Sequence, residues 1–70
     1  MRLSTRNQLA GTITDINVGT VMATVKVKLD GSEQVLTASI TKEAVEELGL
    51  SPGQAVTALI KSTEVMLGVD

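Results

Sequence analysis

The stretch Val21-Met22-Ala23-Thr24-Val25-Lys26-Val27-Lys28-Leu29, closed at once by Asp30-Gly31, decides how this chain folds. Val21, Ala23, Val25, Val27 and Leu29 alternate with Met22, Thr24, Lys26 and Lys28, so one face is apolar and the other largely polar. Period-two alternation rich in β-branched residues is the pattern of a half-buried strand. Asp-Gly readily adopts the positive φ values of tight hairpin turns, so Glu33 to Ile40 is expected to return antiparallel. Upstream, a first strand is expected over about Asn7 to Ile16, with Leu9, Gly11 and Ile13 on one face. Asn17-Val18-Gly19 then turns the chain into the second strand.

Past the hairpin the period changes. Thr41 can cap a short helix, Glu43 falls in its positive first turn, and Ala44, Val45 and Leu48 form an apolar stripe. Gly49 is placed to stop the helix in the left-handed conformation, with Leu50 as the apolar contact that follows. Glu46 and Glu47 read as a solvated face. In Ser51-Pro52-Gly53, proline presets the second turn position and glycine suits the third. A fourth strand is expected over Ala55 to Lys61 and a fifth over Glu64 to Val69, with Lys61-Ser62-Thr63 as the polar break. Five strands with a helix between the third and fourth predict an all-β domain with one short helix, an OB-like five-stranded Greek-key barrel. Residues 1–70 form a single domain, with no linker or repeat.

Composition excludes more than it suggests. The chain has no cysteine, histidine, phenylalanine, tyrosine or tryptophan, yet 43% of it is hydrophobic. A domain of this size buries only about 60% of its unfolded surface on folding alone. Without disulfide, zinc or aromatic ballast, the excess aliphatic surface points to oligomerisation. A net charge of -2 and the absence of aromatics argue against nucleic acid as a partner. No apolar run approaches a membrane span. Met1-Arg2-Leu3-Ser4 moves directly into polar residues and lacks the apolar centre of a signal peptide, so a cytoplasmic protein is expected.

Enzyme activity is not expected. The commonest general acid–base side chain and the thiol nucleophile are both missing. Lys61 and Ser62 are neighbours, and neighbours on a strand face opposite ways, which disfavours a Ser-Lys pair. No carboxylates are spaced as a calcium loop requires, and the six glycines are scattered at turns instead of forming a phosphate loop. No bare metal cation and no organic cofactor are expected. What remains is oxyanion chemistry. Ser4, Thr5, Ser62 and Thr63 offer short hydroxyl donors, Arg6 a planar fork of donors and Lys61 a compact charge. Two cations and several donors suit a tetrahedral dianion, which has only acceptors. On the residues alone, two readings stay open: such a site, or the polar ends of two strands.

Ser4-Thr5-Arg6-Asn7-Gln8-Leu9 with Gly11-Thr12-Ile13 resembles the opening of the molbindins, the small molybdate-binding Mop proteins, and of related TOBE domains. The likeness runs through Gly19-Thr20-Val21-Met22-Ala23 and Ala38-Ser39-Ile40-Thr41. It closes with Leu48-Gly49-Leu50-Ser51-Pro52-Gly53 and Ala58-Leu59-Ile60-Lys61-Ser62-Thr63-Glu64-Val65-Met66. The resemblance implies an OB-like domain assembled as a homo-hexamer, a trimer of dimers, holding molybdate or tungstate at subunit interfaces to store or buffer it in the cytoplasm. It implies Ser4, Arg6, Lys61 and Ser62 as ligands, with Thr41 from a neighbouring copy. Thr5 and Asn7 would contribute backbone amides or position the loop. Gly19, Thr20, Val21 and Met22 correspond to the segment that builds a second interface site. The same type of domain also occurs on DNA-binding regulators and transporter ATPase subunits, so an oxyanion-sensing or oligomerisation module is the alternative. The Met1 start and the lack of a further segment favour the stand-alone form.

Overall fold

The computed structural model describes residues 1–70. Four strands, β1 (Asn7–Val18), β2 (Met22–Leu29), β3 (Val35–Thr41) and β4 (Ala55–Ile60), form one antiparallel sheet in the order β3-β2-β1-β4. The helix α1 (Lys42–Leu48) lies between β3 and β4, and a single 3-10 turn, Ser62–Glu64, follows β4. The sheet curls around its apolar face into a half-barrel whose edges, β3 and β4, are not joined.

The central hairpin follows the alternation. Ala23, Val25 and Val27 are buried and pack with Ile13 and Val45 as the core. Val21 departs from the expected set and is 68% exposed. It lies in the bend before β2, where the Gly19 amide donates to the Met22 carbonyl at 2.8 Å, so it never joins the pleat. At the other end, the Leu29 amide donates to Gln34 O at 2.9 Å, with Gly31 at φ 73 in the turn.

β1 changes phase within its length. Ile13 pairs with Val27, but Asp15 pairs with Lys26, leaving Thr14 as a bulge. Downstream of it, Ile16 sits opposite Val25 and Val18 opposite Ala23. The core-facing positions therefore switch from odd (Gly11, Ile13) to even (Ile16), with Val18 on the same face but 47% exposed, and the bulge bends the strand. Beside it, the Ile13 amide donates to Gln54 O at 2.9 Å and Ile13 O accepts from the Gly53 amide at 2.7 Å. β1 thus passes from one neighbour to the other, pairing with β4 over Asn7–Thr12 and with β2 over Gly11–Val18.

The helix has the expected ends. Thr41, at φ -73 and ψ 151, accepts the Ala44 amide on its hydroxyl at 3.0 Å. Gly49 is left-handed at φ 61, and the Leu50 amide reaches back to Val45 O at 3.1 Å. Seven residues are too few for a helix to persist alone. Burial of Val45, worth about 1.5–3 kcal/mol, anchors it to the sheet. Gln54 N donates to Ser51 O at 3.2 Å with Gly53 at φ 90, the proline-glycine turn that was expected.

The fifth strand is corrected by the structure. β4 ends at Ile60, and Ser62–Glu64 coils into the 3-10 turn. Residues 65–70 carry no strand, with Met66 92%, Leu67 95% and Val69 99% exposed. A strand exists only against a partner, and the turn at Lys61–Glu64 leads this segment away from both sheet edges. The closed five-stranded barrel is accordingly an open half-barrel. Its concave face is an apolar trough of about 500 Å³ lined by Val25, Leu36, Ile40, Leu50, Val56 and Ile60, among others. Only six of seventy residues are buried, too thin a core to cover the aliphatic content. No helix is long and apolar enough to cross a membrane.

Candidate functional site

The two polar clusters singled out in the sequence meet where β1 begins and β4 ends. Asn7 pairs with Ile60, so Ser4, Thr5 and Arg6 run out of the sheet beside Lys61 and Ser62. Thr5 Oγ1 donates to the Ile60 carbonyl at 3.1 Å, and Asn7 Nδ2 donates to the same oxygen at 3.1 Å. Gln8 Nε2 donates to Thr5 O at 2.9 Å, folding the opening segment onto its own strand. Gln8 and the Ile60 carbonyl were not singled out from the sequence. Gln8 lies inside the opening motif, but nothing in a one-dimensional pattern marks a main-chain acceptor 53 or 55 residues away.

Lys61 does not extend β4, as the sequence pattern suggested, but occupies the capping position of the 3-10 turn. The Glu64 amide donates to Lys61 O at 2.9 Å. Ser4, Arg6, Lys61 and Ser62 are all exposed. Chemically this is a rim of hydroxyls with a guanidinium and an ammonium group around one corner of the sheet. It offers several donors, with Glu64 at the end of the same turn as the one carboxylate in that segment, and a donor-rich rim suits an anion rich in oxygen.

Thr41 is elsewhere. It pairs with Met22 in the β2–β3 ladder, at the far end of β1 from Arg6 and Lys61. At about 3.3 Å per residue, β1 separates the two ends by on the order of 35 Å of contour. The Thr41 hydroxyl accepts from Ala44 and keeps its own hydrogen available. Thr20, Val21, Thr41, Lys42, Glu43 and Glu46 line a shallow hollow there, closed by the Lys42 amide donating to Val21 O at 2.8 Å. Gly19, Thr20, Val21 and Met22 therefore gather around Thr41, away from the first cluster. Met22 is 46% exposed, on the face opposite the core. The apolar trough holds neither cluster and no charge. No three His, Cys, Asp or Glu side chains come together as a metal-ligand group.

Residues 3–67 match the family model of the TOBE domain. Over 70 residues the chain is 41% identical to a probable molybdenum-pterin-binding protein of Haemophilus influenzae, covering 100% of both sequences. The chain belongs to the molybdenum-pterin-binding (Mop) proteins of the TOBE family. Two solved structures share the Mop fold closely. A molybdate-binding protein from Sporomusa ovata superposes with a TM-score of 0.91 at 40% identity, over 99% of this chain and 100% of its own. ModG, a cytoplasmic molybdate-binding protein solved with molybdate bound, superposes with a TM-score of 0.92 at 48% identity, over 100% of this chain and 49% of its own. In this Mop chain, the corner where β1 and β4 meet and the hollow beside Thr41 are the two polar surfaces that the resemblance singles out.

Proposed function

We propose that this chain binds molybdate, and tungstate equally, as a tetrahedral dianion, and stores or buffers it in the cytoplasm without catalysing a reaction. The observation that carries this is the Asn7–Ile60 pairing, which sets the Ser4–Arg6 segment beside Lys61 and Ser62 in a Mop chain. Arg6 and Lys61 supply charge to match the dianion, and Ser4 and Ser62 supply hydroxyl hydrogens. Charge-assisted hydrogen bonds of this kind are roughly twice as strong as neutral ones. Thr41 of a neighbouring copy completes the shell, and the Gly19–Met22 hollow forms a second class of site.

The sites lie between copies of the chain in a homo-hexamer, a trimer of dimers. The thin core, the open trough and the exposed apolar Val65–Val69 tail support association, because a lone copy would leave the trough and the tail in water. Selectivity follows from size. Molybdate, tungstate and sulfate carry the same charge, but metal–oxygen bonds exceed sulfur–oxygen bonds in length. Donors spaced for molybdate leave some of their hydrogens unmet by sulfate, at about 1–3 kcal/mol each in a dry site.

Calorimetric titration with molybdate, tungstate, sulfate and phosphate in parallel, with sedimentation analysis of the same samples, tests the proposal. Tight and nearly equal binding of the first two, on a species much heavier than 7.3 kDa, is expected. Displacement of molybdate by a comparable concentration of sulfate would overturn it.

A further inference from the structure

We infer that Thr5 and Asn7, with Gln8 bracing the opening segment, are positioning residues whose side chains clamp the two halves of the oxyanion site together and do not themselves ligate the anion. The inference rests on the oxyanion reading above and deepens it. Thr5 and Asn7, two residues apart, both donate to one oxygen, the carbonyl of Ile60, each at 3.1 Å. Ile60 is the last residue of β4, and the chain bends at Lys61 into the 3-10 turn. The carbonyl held by the two side chains is therefore the one immediately before the bend, and its position sets where Lys61 and Ser62 start.

Exposure divides residues 4–7 the same way. Ser4 and Arg6 are exposed, whereas Thr5 and Asn7 are half-buried. Thr5 and Asn7 are turned toward β4, and Ser4 and Arg6, which alternate with them, are left to solvent. Donor inventory then separates the roles. An oxyanion has only acceptors, so a hydroxyl that binds it must give its hydrogen. A threonine hydroxyl has one hydrogen, and that of Thr5 is engaged by Ile60 O. The Asn7 amide nitrogen gives one of its two hydrogens to the same carbonyl, which holds the half-buried side chain against β4. Gln8 Nε2 closes the arrangement by holding Thr5 O at 2.9 Å.

The clamp has a definite task. β1 begins at Asn7, so residues 1–6 have no ladder of their own, and terminal segments without such ties are poorly ordered. Ordering Ser4 and Arg6 at the moment of binding would draw on the binding free energy, and holding them beforehand removes that cost.

The test uses the full chain with sodium molybdate as ligand, and pairs calorimetry with backbone ¹⁵N relaxation of the ligand-free protein. Thr5→Val removes the hydroxyl while keeping the shape, Asn7→Ala removes the amide, and Thr5→Ser keeps a hydroxyl at the same place. Thr5→Val and Asn7→Ala are each expected to weaken molybdate binding by up to about tenfold. Both should lower the order parameters of residues 2–6 in the ligand-free protein and make the binding entropy less favourable. Thr5→Ser should restore binding to within about twofold of the unaltered chain, since it keeps the bond. Unchanged binding in both variants would overturn the clamp. So would weakened binding with an opening segment as ordered as in the unaltered protein, which is the signature of a lost ligand. Failure of the unaltered chain to bind molybdate would instead overturn the oxyanion reading itself.

Discussion

Substituting alanine for Gly11 tests whether the curled sheet depends on close approach of two backbones. A Cβ at Gly11 would lie 2.6 Å from the Lys28 carbonyl oxygen and 2.6 Å from Val27 Cγ1. Ordinary contact begins near 3.4 Å, so the neighbours must retreat by 3.4 − 2.6, or 0.8 Å. Val27 is buried in the core, and the Lys28 carbonyl belongs to the strand paired with β1, so neither can swing aside. Overpacking of this kind costs about 1–3 kcal/mol, against which Gly→Ala recovers about 0.4–1 kcal/mol by restricting the unfolded chain. The net expectation is a loss of about 1–2 kcal/mol. At fixed protein concentration, that lowers the melting temperature by roughly 5–15 °C for a domain of this size. Gly68→Ala, whose Cβ would meet nothing within 4 Å, is the matched control. Thermal melts followed by circular dichroism decide it. Gly11→Ala melting at or above the unaltered protein would refute the close-approach account.

Arg6→Ala and Lys61→Ala should each weaken molybdate binding by about 2–5 kcal/mol with unchanged circular dichroism; unchanged affinity would make both cations mere solvated chain ends. Ser4→Ala should cost less, about 1.5–3 kcal/mol, the usual worth of a hydrogen bond to a charged group, read in the same titration. Thr41→Ala removes the acceptor for the Ala44 amide and should lower stability by about 1 kcal/mol even without ligand, as measured by urea unfolding. Deleting residues 65–70 should lower the degree of association seen in sedimentation if copies pack as proposed, because it removes the exposed Met66, Leu67 and Val69 that association would cover.

What could be read from the sequence was whatever local chemistry dictates. Thr41 as a cap, Gly49 as a left-handed stop and Pro52-Gly53 as a turn are short-range devices, and all three are present. The Ala23–Val27 core face was legible because its alternation is unbroken. The phase change in β1 was not. A bulge is defined by two residues facing one on another strand, and Thr14 carries no mark of it. The tail misled for a related reason. Val65, Leu67 and Val69 alternate like a strand, but alternation reports a face seeking cover and does not supply the partner. Of the candidate site, the residue types were legible, and so was the link between opening and closing motifs through family likeness. The shared acceptor at Ile60 was not, because a carbonyl has no letter of its own.

Thr14 also governs which lengths of β1 this domain can tolerate. A strand that faces its core with odd positions before one residue and even positions after it behaves as two reading frames joined at a splice. Deleting a residue near Leu9 or Asn17 would throw the segment beyond it out of frame, carrying polar side chains inward and Ile16 or Gly11 outward. Deleting Thr14 alone would fuse the frames and keep both pairings in step, at the cost of the bend. Relatives that differ from this chain by one residue in β1 are therefore expected to differ at that splice.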